Sequence, residues 1–90
     1  MSVDWDPGKA RESVAKHGVR FADGVIVLGD PFAVTIPDPD LEEDRFVTIG
    51  TDDQGRVLVV VYVWRGERRR LIFVRLATRS ERRDDEEGGA

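Results

Sequence analysis

The sequence predicts an α+β domain: two helices at the N-terminal end, an antiparallel sheet of three or four strands, and a short helix at the C-terminal end. Three observations carry this. Apolar residues recur at helical spacing only in the first third of the chain. Turn sequences at 52–55 and 65–67 separate runs of strand-forming residues. The run at 57–64 is apolar nearly throughout, as suits a central strand covered on both faces. Residues 1–83 are expected to form one domain, and 84–90, four acids followed by Gly-Gly-Ala, an acidic disordered tail.

Each element has a local reason. Val3-Asp4-Trp5 reads as a short edge strand or an anchored arm. Asp6-Pro7 opens a helix, because Asp6 can accept from free backbone N–H groups and Pro7 fits the first helical position. Ala10, Val14 and His17 fall on one face of it, and Gly18 ends it with a left-handed cap. Phe21–Leu28 is expected as a second helix with Phe21, Val25 and Leu28 as its apolar stripe, closed by Gly29-Asp30-Pro31. Strands are expected at 33–36, Arg45–Thr51, 56–64 and 69–76. The acidic loop 40–44 is too polar to be buried, and Asp52-Asp53-Gln54-Gly55 is a hairpin turn. Thr78-Arg79-Ser80-Glu81 has the pattern of a capping box, and the helix it opens has no apolar face. Hairpin-linked strands with helices on one face make an antiparallel meander.

Composition narrows the setting. Ninety residues with 40% hydrophobic content make a single thin-cored domain. There is no apolar stretch near the ~20 residues of a membrane span, and no secretory pattern at the start, so a cytoplasmic protein is expected. Cysteine is absent, which excludes disulfides and cysteine-held metals. The net charge of −4 is unevenly spread. Residues 1–44 hold ten acids against four bases, whereas 45–83 hold four acids against ten bases. The basic half can attract a polyanion whatever the overall sign.

The order of motifs is more informative than any one of them. Trp5-Asp6-Pro7-Gly8-Lys9 is followed by Lys16-His17-Gly18-Val19-Arg20-Phe21, then Asp44-Arg45-Phe46 and the apolar run at 57–64. Arg70-Leu71-Ile72-Phe73-Val74-Arg75-Leu76-Ala77-Thr78-Arg79-Ser80-Glu81-Arg82 closes the series. Over nearly the whole chain this order resembles the BrnT family, the toxin half of a bacterial type II toxin–antitoxin pair. The resemblance implies the RelE-like fold of messenger-RNA interferases and a ribonuclease activity that inhibits translation. It also implies a cognate BrnA-like ribbon–helix–helix antitoxin, assembled with the toxin as a hetero-oligomer, through which alone DNA would be contacted. Two departures stand out. Phe73 and Val74 precede Arg75 where BrnT-like chains carry small residues, and no aromatic follows Arg82.

The residue complement agrees with such chemistry. One His, no Cys and no Ser in a tight Gly-flanked turn make a covalent triad a poor fit. No phosphate-cradling glycine loop is present, and no metal or cofactor is expected. RNA supplies its own nucleophile, the 2′-OH. An enzyme must remove that proton, stabilise charge on the pentavalent phosphorus, and protonate the leaving 5′ oxygen. Arg75, Arg70, Lys9 and His17 are the candidate catalytic residues, and Arg45, Arg79, Arg82 and Trp5 the candidate RNA-binding ones.

Each has a plainer alternative. Arg75 and Arg45 can be salt-bridge partners, His17 a helix-terminal residue, Lys9 a solvated one, and Trp5 an anchor. Strict alternation puts Arg70 and Arg75 on opposite strand faces unless a bulge re-aims one. Glu81 is assigned to the capping box rather than to base catalysis. Three readings remain open: a ribonuclease toxin; a catalytically degenerate BrnT-like binding module acting as a corepressor or antitoxin-binding scaffold; or a small structural domain with no nucleic-acid role.

Overall fold

A computed structural model describes residues 2–38 and 45–82. The acidic loop at 40–44 and the tail at 84–90 lie outside the described residues. The elements run β1 (Ser2–Trp5), α1 (Pro7–His17), α2 (Phe21–Leu28), β2 (Val34–Pro37), β3 (Arg45–Thr51), β4 (Val57–Arg65) and β5 (Arg68–Leu76). A helical turn follows at Arg79–Arg82. The α+β class holds. The sheet has five strands rather than three or four, in the order β1-β5-β4-β3-β2, and it is mixed. β2 to β5 form the expected antiparallel meander, but β1 joins the outer edge of β5 in parallel, Ser2 opposite Arg68 and Trp5 opposite Leu71. Nothing local encodes that pairing, because it joins the two ends of the chain.

Helix boundaries follow their caps. The Asp6 carboxylate accepts from the Gly8 N–H at 2.9 Å, and Gly18, at φ 66°, ends α1 in the left-handed region where a Cβ would be strained. The buried side of α1 differs from the expected Ala10, Val14, His17 face. Val14 is 49% exposed and His17 is exposed, while Ser13 is buried. The cause is the sheet edge. β1 stops at Leu71, and α1 lies beside the rest of β5, where the Ser13 hydroxyl sits 3.0 Å from the Val74 carbonyl and 2.9 Å from that of Val19. A polar residue faces inward there because edge carbonyls need a donor.

α2 buries Phe21, Asp23, Gly24 and Val27, with Val25 and Leu28 only partly covered. Gly24 allows this close approach: a Cβ there would lie 2.8 Å from a Val74 methyl and 3.4 Å from one of Val60. Both helices pack on one face of the sheet, over Leu58, Val60 and Tyr62 of β4 and Leu71 and Val74 of β5. Burying each such aliphatic side chain contributes about 1.5–3 kcal/mol. β4 is buried on both faces, as its apolar run predicts: Val59, Val61 and Val63 are 1%, 3% and 7% exposed.

Candidate functional site

β5 carries the irregularity that matters. Val61 pairs with Phe73 but Tyr62 pairs with Leu71, so Ile72 is an extra residue, a β-bulge. Across an antiparallel pair, registered residues share a face. Arg75 registers with Val59, and Arg70 with Val63. The bulge therefore overturns strict alternation and puts Arg70 and Arg75 on the same face, opposite the helices. Arg45 registers with Val63 as well and joins them. Three arginines from two strands thus rim the face opposite α1 and α2, around Val59, Val61 and Phe73.

Each of these arginines meets a carboxylate. Arg75 binds Glu81 fork to fork, with Nη1–Oε1 and Nη2–Oε2 both at 2.8 Å. Arg70 lies 3.1 Å from Asp4 on neighbouring β1, and Arg45 lies 3.6 Å from Asp38. Glu81 also completes the expected capping box, accepting from the Thr78 N–H at 2.8 Å while its own N–H reaches the Thr78 hydroxyl at 3.2 Å. The Arg75 hydrogen bonds hold the Glu81 carboxyl down at about 2, against the opposing effect of burial, and raise Arg75 in turn.

The other expected residues divide into two places. Lys9 and His17 come together with Glu12, Ser13 and Lys16 along one side of α1, lining a groove against Ile72 and Phe73 of β5. Phe73 belongs by register to the arginine face, so the groove borders that face. Arg79 and Arg82 are exposed on the terminal turn, Arg82 lining a shallow depression with Arg56, Val57 and Leu76. Trp5 packs edge-on against Phe21, ring centroids 6.0 Å apart, which is an anchoring role for the β1 arm. Tyr62 is in the core as expected.

Sequence reasoning missed two arrangements. Arg56 bridges two buried carboxylates, lying 3.1 Å from Asp23 and 2.8 Å from Asp52, whose side chains are 3% and 0% exposed. Burial pushes both carboxyls up, but hydrogen bonds from Arg20 and Arg56 to Asp23, and from Arg56 and Gln54 to Asp52, outweigh it and leave both below the ordinary range. Asp23, Asp52 and Asp53 have the spacing of a cation site, but the Arg56 guanidinium already lies against the two buried carboxylates. The position of Asp52 at the head of a hairpin turn was the available signal. Arg69 stacks over Tyr62 and Trp64, its Cζ 5.2 and 4.9 Å from the ring centroids.

A mixed sheet with two helices on one face, three arginines on the other and a lysine- and histidine-lined groove beside it is the architecture of a small α+β protein. The family of BrnT ribonuclease toxins of type II toxin–antitoxin systems matches residues 5–81, and the chain belongs to that family. The crystal structure of the Brucella abortus ribonuclease toxin BrnT is similar to it with a TM-score of 0.70 and 29% identity, covering 88% of this chain and 99% of that one. No curated protein matches the sequence. Membership makes this the toxin member of a type II pair, and hence one with a protein antitoxin as partner. Among the described residues no helix is long and apolar enough to cross a membrane.

Proposed function

We propose that this chain is a metal-independent endoribonuclease that arrests translation by cleaving RNA in the cytoplasm. The observation that carries the reading is the Ile72 bulge, which gathers Arg70 and Arg75 with Arg45 on one face. Arginine's planar fork matches two phosphate oxygens at once, so this face can hold the scissile phosphate and stabilise the charge gained when the 2′-oxygen attacks. Lys9 and His17, in the bordering groove, are the groups for proton transfer: one takes the 2′-OH proton and the other returns a proton to the departing 5′ oxygen. The products are a 2′,3′-cyclic phosphate and a 5′-hydroxyl end. Arg79 and Arg82 would hold the flanking backbone. A BrnA-like ribbon–helix–helix antitoxin, in a hetero-oligomer with the toxin, would neutralise it by covering the arginines, and only that partner would touch DNA.

One observation favours the second reading, a degenerate binding module. All three arginines of the face already meet carboxylates of the same chain. Brief induced expression without antitoxin, beside Arg75→Ala, separates the two. Growth arrest with cleaved total RNA, lost in the variant, is expected. Normal growth and intact RNA from soluble, folded protein would leave the binding module.

A further inference from the structure

The groove between α1 and β5 has features that the arginine face does not need. Lys16 and Phe73 line it together with Lys9 and His17, and neither takes part in the chemistry just described. Two lysines and a histidine are exposed on one helix side, with a half-buried aromatic ring opposite. Lys9 and Lys16 are seven residues apart, about 10 Å along the helix axis. Phe73, next to the bulge at Ile72, belongs to both surfaces, since it lines the groove and shares a sheet face with Arg75.

We infer that this groove is a nucleotide subsite for the RNA segment beside the cleaved bond, with a base stacked on Phe73 and a phosphate held by Lys16. The inference rests on the ribonuclease reading above. Stacking on an aromatic ring tolerates any base, and lysine ammonium groups bind phosphate as point charges, so the subsite adds affinity without strong sequence preference. Glu12, an acid on the groove wall, opposes the ligand and sets the sign of a further test. Phe73, which stands where BrnT-like chains carry a small residue, is therefore a stacking platform.

Fluorescence anisotropy with 2′-O-methyl oligoribonucleotides, which lack the nucleophile, tests this. A dinucleotide reaches only the arginine face, while a hexanucleotide extends into the groove. Phe73→Leu should weaken the hexanucleotide roughly five- to tenfold and the dinucleotide much less. Lys16→Gln, an exposed change that does not threaten folding, should lower the slope of log affinity against log salt by about 0.7. Glu12→Gln should tighten binding. Equal affinities and salt slopes for all three variants, with hexanucleotide binding still lost in Arg75→Ala, would overturn the subsite and leave the ribonuclease reading intact. Weakened capture of the antitoxin by these variants, with RNA binding unchanged, would make the groove a protein interface instead. Failure of the unaltered protein to bind or cleave any RNA would remove both readings together.

Discussion

Arg75 and Glu81 meet in a double hydrogen bond, 2.8 Å on each arm, joining the last strand to the terminal helical turn. The carboxylate occupies the fork that a phosphate would use. On the proposed ribonuclease reading RNA would displace it, and Glu81→Gln should make that easier. A pair of this kind contributes up to ~1 kcal/mol, so roughly fivefold tighter RNA binding is expected, read by anisotropy at fixed salt. Unchanged affinity would mean that RNA does not use this fork.

The same contact has a pH signature. Glu81 is lowered from 4.5 to about 2, so it contributes stability that is fully present above the unfolded value and is lost as pH falls through the folded one. Asp23 and Asp52, also lowered, act in the same direction. Urea-unfolding free energy should fall steadily from about pH 5 towards pH 2. In Glu81→Gln the fall should be shallower by about 1 kcal/mol, after allowance for solvent screening of a partly exposed pair. An identical pH profile would show that the pair contributes nothing to folding.

Arg56 bridges two buried carboxylates, and its removal leaves Asp52 without an ion pair and Asp23 with Arg20 alone. Arg56→Ala should destabilise the protein by roughly 3 kcal/mol or more, lowering the melting temperature by at least ~10 °C. Protonation of Asp52 relieves its unpaired charge and that of Asp23 eases the loss of one of its two partners, so the deficit should shrink as pH falls, which calorimetry at two pH values would detect. A deficit independent of pH would assign the effect to lost packing alone.

Gly24 and Gly8 both lie in helices, yet alanine should act oppositely at the two. At Gly24 the new methyl meets Val74 at 2.8 Å. Overpacking of ~1–3 kcal/mol then exceeds the ~1 kcal/mol gained in helix propensity. At Gly8 the nearest atom, a carboxylate oxygen of Asp6, is at an ordinary 3.4 Å. Gly8→Ala should be neutral or mildly stabilising, and Gly24→Ala destabilising. Equal melting temperatures would show that the sheet yields to the added methyl.

What could be read from the chain by itself was whatever is local. The Asp6-Pro7 start, the Gly18 stop, the hairpin turn at Asp52–Gly55 and the Thr78–Glu81 capping box depend on neighbours a few residues apart, and the structure has each of them. The central strand was legible because an apolar run has no other place to go. The family could be recognised because its motifs are read in order, not in space. Tertiary structure decided the rest. The parallel β1–β5 pairing joins the chain's two ends, and Ser13 rather than Val14 faces inward because α1 lies beside an open strand edge. Above all, one extra residue at Ile72 turned Arg70 to the side of Arg75. A strand's side chains alternate with period two, so a single bulge reverses every assignment beyond it, and only the pairing with β4 shows where that bulge falls.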